Sequence, residues 1–297
     1  MRTLGAALLL LLWAAPAGAH GGEHFAGPAW TLDPWIVAPL AVSAVLYLAG
    51  FAALWGRGGP GRPIRLRQAA LYAAGWLALA GALVSPLHWL GEHLFTFHMI
   101  EHEIVMAIAA PLFVLARPGG VLLWGLPAAA RAAVGRAVRA AAVQGVWRRL
   151  TGAGTATVLH GIAIWLWHAP PLFDAAVTND TIHRFQHLSF FVTALLFWWA
   201  LVRRSTYGAA TWHMFVIMIH TSVLGALMAL APRVLYLAQT ADSTAWGLTP
   251  LEDQQLAGIV MWVPAGTVYA GAALVFAASW IATSGPSERR DHAKVRP

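Results

Sequence analysis

Residues 94–115 read LFTFHMIEHEIVMAIAAPLFVL. At about 1.5 Å per residue a helix of this length rises about 33 Å, enough to cross a hydrocarbon core of about 30 Å. The second half is uncharged, whereas the first half carries His98, Glu101, His102 and Glu103. Ionisable groups are costly inside a bilayer and face a partner, a cavity or a ligand. His98 and His102 stand four residues apart, about one helical turn, so both project from one face. This one stretch predicts a spanning helix that carries an internal polar site.

Working outward, six further apolar segments are readable: 35–55, 68–87, 154–167, 183–202, 211–230 and 256–281. The chain is 59% hydrophobic and 10% charged, with a mean hydropathy of +0.63. A soluble protein carries far more surface charge. The expectation is an all-α, polytopic membrane helix bundle with seven transmembrane helices over 35–281. Before it, Arg2, the apolar run 4–15 and Ala17-Gly18-Ala19 read as a cleaved signal peptide over 1–19. Residues 20–34 then form a periplasmic N-terminal segment and 282–297 a cytoplasmic tail. Cleavage after Ala19 exposes an amine beside His20, near His24, a possible copper chelate; a plain flexible tail is the alternative.

Charge sets the orientation. The loop with Arg57, Arg62, Arg65 and Arg67, the connector 117–150, Arg203 with Arg204, and the tail all fall on one side. The positive-inside rule makes that side the cytoplasm of a bacterial inner membrane. Glu23, Asp33, Glu92, Asp174, Asp180, Asp242, Glu252 and Asp253 fall on the other. The net charge of +7 therefore reflects topology, not nucleic-acid binding. Within the connector, Arg131, Arg136 and Arg139 recur among Ala and Val, which suits either an amphipathic helix on anionic lipid headgroups or an ordinary basic loop.

A second pair, His183 and His187, repeats the four-residue spacing, and His88, His93 and His168 fall at neighbouring segment ends. In this topology all seven imidazoles lie toward the outer face. Two such pairs on different helices supply the three or four nitrogens that a metal needs, and Glu101 or Glu103 is placed to orient a ring. There is no cysteine, so thiolate sites and iron–sulfur clusters are excluded. Copper, zinc and a haem b clamped between helices all remain open. His160, His213 and His220 lie deeper. His160 and His220 read either as a track inward from His168 or, with His213, as interhelical hydrogen-bonding groups. Met99, Met106, Met214, Met218 and Met261 suit packing better than ligation. No nucleophile–base pair, phosphate loop or paired-carboxylate site stands out, so catalysis is not expected.

Four motifs resemble one family. They are His98-Met-Ile-Glu-His102 with Pro111 and Pro118, Trp167-His168-Ala-Pro170, His183-Arg-Phe-Gln-His187, and Asp253-Gln-Gln-Leu-Ala-Gly258-Ile-Val-Met261-Trp262-Val-Pro264. Together they are similar to the multi-spanning CtaG-type cytochrome c oxidase assembly factors. An unrelated single-span copper chaperone shares that name but relies on cysteines, so its mechanism does not transfer. The resemblance implies maturation of a haem–copper oxidase, with oxidase subunits and membrane lipid as partners and copper delivered or retained. His98, His102, His183 and His187 are then the first metal-ligand candidates, followed by His168 and Asp253, the latter also placed to serve as a helix N-terminal residue. The competing readings are a membrane b-type haem protein for electron transfer and a copper transporter along His168, His160 and His220.

Overall fold

The computed structural model describes residues 28–56 and 61–284. The expected signal peptide, His20, His24, Arg57 and the tail from 285 onward lie outside the described residues.

Every element among the described residues is helical. In chain order these are α1 (Pro34–Trp55), α2 (Arg62–Leu83), α3 (Pro86–His93) and α4 (Phe95–Glu103), followed by a π-helical segment (Ile104–Ala109). Then come α5 (Ala110–Ala116), α6 (Gly119–Gly125), α7 (Ala128–Arg139), α8 (Ala141–Leu150), α9 (Ala153–Trp167), α10 (Pro170–Thr178) and α11 (Asp180–Arg203). The chain continues with α12 (Tyr207–Ala229), a 3₁₀ turn (Ser243–Trp246) and α13 (Pro250–Ser284).

Among the described residues, five helical segments are long and apolar enough to cross a membrane: Pro34–Trp55, Phe95–Ala116, Asp180–Arg203, Tyr207–Ala229 and Pro250–Ser284. The number rises to seven if two bent pairs each count as one span. The first pair is α2 with α3, bent by 41°, and the second is α8 with α9, bent by 66°.

Local chemistry explains the boundaries. Asp33 caps α1 by accepting from Trp35 N at 2.9 Å, with Pro34 at the first helical position. Asn179 caps α11 by accepting from the amides of Thr181 and Ile182. Thr249 and Glu252 form a reciprocal capping box at the start of α13. The segment expected at 68–87 differs most. It begins earlier, at Arg62, and breaks at Val84 and Ser85, because Ser85 caps a new helix that opens on Pro86. His88, Glu92 and His93 consequently lie on a helix and not on a turn. The connector contains three helices, α6, α7 and α8, and neither α7 nor α8 has a buried residue.

The interior is built around the Phe95–Ala116 segment. Phe95, Met99, Phe173, Phe190, Phe197, Met214, Tyr236, Met261 and Tyr269 form one buried cluster. The π-helical turn redirects backbone carbonyls, and the Trp198 indole donates to that of Met106 at 3.0 Å. At the periphery α6 packs on α1, where a Cβ on Gly50 would overlap the Val121 carbonyl and one on Gly125 the Leu46 carbonyl. Only glycine permits that backbone approach.

Candidate metal centre

The start of α4 fixes the site. Leu94 is extended and separates α3 from α4, so the first amides of α4 lack intrahelical partners. The Asp253 carboxylate, on α13, takes two of them, Phe95 N at 2.8 Å and Thr96 N at 2.9 Å. It also accepts from Thr96 Oγ1 at 2.7 Å and Ser243 Oγ at 2.8 Å. Both Asp253 oxygens are thus engaged as a helix cap that joins α13 to α4. Of the two roles sequence suggested for Asp253, the structure places it at a helix N-terminus, though that of α4 as well as its own, and not among the imidazoles.

One turn into α4, His98 and His102 sit edge to face with ring centroids 4.3 Å apart. On α11, His183 and His187 lie 4.5 Å apart, with their Nε2 atoms 2.9 Å from each other. The two pairs face one another. His98 is 5.3 Å from His183 and 5.9 Å from His187, and His102 is 5.0 Å from His187, centroid to centroid. His88 on α3 stands 5.6 Å from His183. His168, just beyond α9, lies 6.1 Å from His102. One ligand atom each from His98, His183 and His187 lies within 4.8 Å of the others, a spacing that suits a single ion.

Hydrogen bonds set the tautomers. A carbonyl only accepts, so His98 Nδ1–H donates to Gly91 O at 3.3 Å, leaving the lone pair on Nε2. That Nε2 is buried without a hydrogen-bond partner among the described residues. The same logic applies to His168, whose Nδ1–H donates to Ile164 O at 2.7 Å while Nε2 is left open. Both nitrogens of His102 are buried without a partner among the described residues. Orphaned imidazole nitrogens converging from separate helices are the donor set that copper or zinc accepts.

Glu101 is the carboxylate that the sequence placed beside the rings, and it is fully buried. Its Oε1 accepts from His88 Nδ1 at 2.8 Å and lies 3.5 Å from His187 Nδ1. Glu103, two positions on, falls on another face of the helix. Gly91 makes room for this arrangement, since a Cβ there would lie 2.9 Å from Glu101 Oε2.

Sequence reasoning missed a strap. The stretch between α12 and α13 reaches the site three times. Tyr236 Oη donates to His168 O at 2.7 Å, Gln239 Nε2 donates to Gly91 O at 2.9 Å, and Ser243 Oγ reaches Asp253. Burial pushes the Tyr236 phenol well above its usual range, which keeps it a protonated donor. The only local signal was a few polar residues in an otherwise apolar chain.

The other histidines have partners of their own. His93 Nδ1–H donates to Trp89 O at 2.8 Å, outside the imidazole group. His160 meets Thr193 Oγ1 at 3.0 Å, His213 meets Thr157 Oγ1 at 3.0 Å, and Trp165 Nε1 donates to His220 Nδ1 at 3.2 Å. These are interhelical polar contacts. Met99, Met106, Met214 and Met261 belong to the apolar core, with Met218 packed against it.

A family model described as cytochrome c oxidase caa3 assembly factor matches residues 45–283. Uncharacterized proteins of Mycobacterium bovis and Mycobacterium tuberculosis are each 30% identical over 251 residues, covering 78% of this chain and 36% of the relative. An uncharacterized protein of Mycobacterium leprae is 25% identical over 248 residues, with the same coverage. The chain thus spans about a third of the length of these curated relatives. No solved structure matches.

Proposed function

The chain belongs to the cytochrome c oxidase caa3 assembly factor family, and on that premise we propose that it serves oxidase maturation by holding copper at His98, His183 and His187. The observation that carries this reading is the convergence of these three imidazoles, from two helices, with ligand atoms within 4.8 Å of one another. Copper supplies the cargo or cofactor that a haem–copper oxidase requires. The protein's own residues hold the rings in place. Gly91 O fixes the His98 tautomer, and Glu101 orients His88 and borders His187.

Packing supports an ion over a haem. Phe173 lies 5.2 Å from His98 and Phe190 lies 4.7 Å from His102, so aromatic rings pack directly against the imidazole group. Seven spans follow a cleaved signal peptide, with the bent α2–α3 pair and α9 crossing the bacterial inner membrane beside the five long helical segments. The histidine end then faces the periplasm, the arginine-rich connector and tail face the cytoplasm, and the partners are oxidase subunits within the lipid. The role is one of binding and delivery, without catalysis.

The test is metal analysis of the purified protein together with its absorption spectrum. Copper without a Soret band supports the proposal. A Soret band with stoichiometric haem, or a preparation that never takes up copper, overturns it.

A further inference from the structure

We infer that the bundle holds a second copper position, for a monovalent ion, between His102 and His168; this rests on the copper reading of the His98, His183 and His187 site and deepens it. That first site makes no use of either residue, yet both are buried, at 1% and 3% exposure. His168 presents an Nε2 lone pair because its Nδ1–H is committed to Ile164 O, and neither nitrogen of His102 has a hydrogen-bond partner among the described residues. Buried polar atoms without partners are rare, and each needs an explanation such as an unseen ion or water.

The spacing fits an ion. A ring nitrogen lies about 1.1 Å from its centroid and a metal–imidazole bond is about 2.0 Å, so two imidazoles sharing one ion in line stand about 6 Å apart between centroids. The observed separation is 6.1 Å. Phe190 flanks both rings, at 4.7 Å from His102 and 5.9 Å from His168, and Phe173 lies 5.9 Å from His168. Such walls offer no ligand atoms of their own. Zinc requires four ligands and Cu(II) a tetragonal set, so a two-nitrogen position with aromatic walls selects Cu(I). His102 is also 4.3 Å from His98 and 5.0 Å from His187, so it borders both positions and links them.

Copper stoichiometry tests this. The full chain in detergent is loaded anaerobically with excess Cu(I), desalted, and assayed for copper per chain; zinc loading is the parallel arm. The expected result is two coppers per wild-type chain, halved in His168→Asn, and no second equivalent with zinc. His183→Asn weakens the other position and retains the one between His102 and His168. A wild-type chain that takes up one copper, with His168→Asn unchanged, overturns the second position and leaves the first intact. A wild-type chain that takes up no copper overturns both. Should His168→Asn fail to fold, as judged by circular dichroism and size exclusion, His102→Gln is loaded in the same assay, where retention of two coppers overturns the second position.

Discussion

Glu101 Oε1 accepts a 2.8 Å hydrogen bond from His88 Nδ1 and lies 3.5 Å from His187 Nδ1, so one buried carboxylate oxygen ties α3 and α11 together beneath the imidazole cluster. An oriented ring offers its lone pair without first giving up rotational freedom, and such outer partners tune metal affinity. Glu101→Gln keeps the shape and removes the charge. It is expected to weaken copper binding by about 10–100-fold while the protein still folds. Competition against a chelator measures this, and an unchanged affinity would show that Glu101 has no part in holding the rings.

Asp253 separates ligation from architecture. Its carboxylate accepts four hydrogen bonds, two of them from the first amides of α4. Asp253→Ala is expected to cost about 2–4 kcal/mol of stability, since it strips buried donors of a charged acceptor. Thermal unfolding in detergent reads the loss. Copper content per folded chain is expected to hold. A stable variant without copper would instead make Asp253 a ligand.

Gly91 tests how tightly the site is built. A Cβ there meets Glu101 Oε2 at 2.9 Å and His98 Cα at 3.3 Å. Gly91→Ala therefore displaces the Glu101 carboxylate or the α4 backbone, and copper affinity is expected to fall by about tenfold or more. Gly119→Ala, where an added Cβ meets nothing within 4 Å, is the control. Equal affinities in the two variants would count against a preorganised site.

The cysteine-free chain permits a clean topology test, because any introduced cysteine is the only thiol present. Ala142 on α8 and Ala245 in the strap are both exposed. Orientation by the positive-inside rule predicts that a membrane-impermeant maleimide labels Ala245→Cys in spheroplasts and labels Ala142→Cys only after lysis. The reverse pattern would place the histidine end in the cytoplasm.

Much of this was readable from local pattern. Residues 94–115 announce a span with a polar first half, and the four-residue spacing puts His98 with His102 and His183 with His187 on common faces. What sequence could not supply was lateral. Whether the two faces meet depends on how α4 packs against α11, which no periodicity encodes. The break at Ser85 was signalled by Pro86, yet uninterrupted hydrophobicity across 68–87 outweighed it. The capping of α4 by Asp253 was hidden for a similar reason. The amides it caps, those of Phe95 and Thr96, lie about 157 residues away in the chain, so its larger role appears only once α13 is docked. Tyr236, Gln239 and Ser243 carry no motif, and their roles arise solely from where the strap lies.

The central claim is that imidazoles from α4 and α11 jointly bind copper. Copper-edge X-ray absorption on the loaded wild type, paired with copper analysis of the His98→Ala/His102→Ala/His183→Ala/His187→Ala variant, tests it most directly. The account predicts imidazole nitrogens at about 2.0 Å around copper in the wild type and loss of copper in the variant. A shell lacking imidazole nitrogen, or full copper retention in the variant, would contradict it.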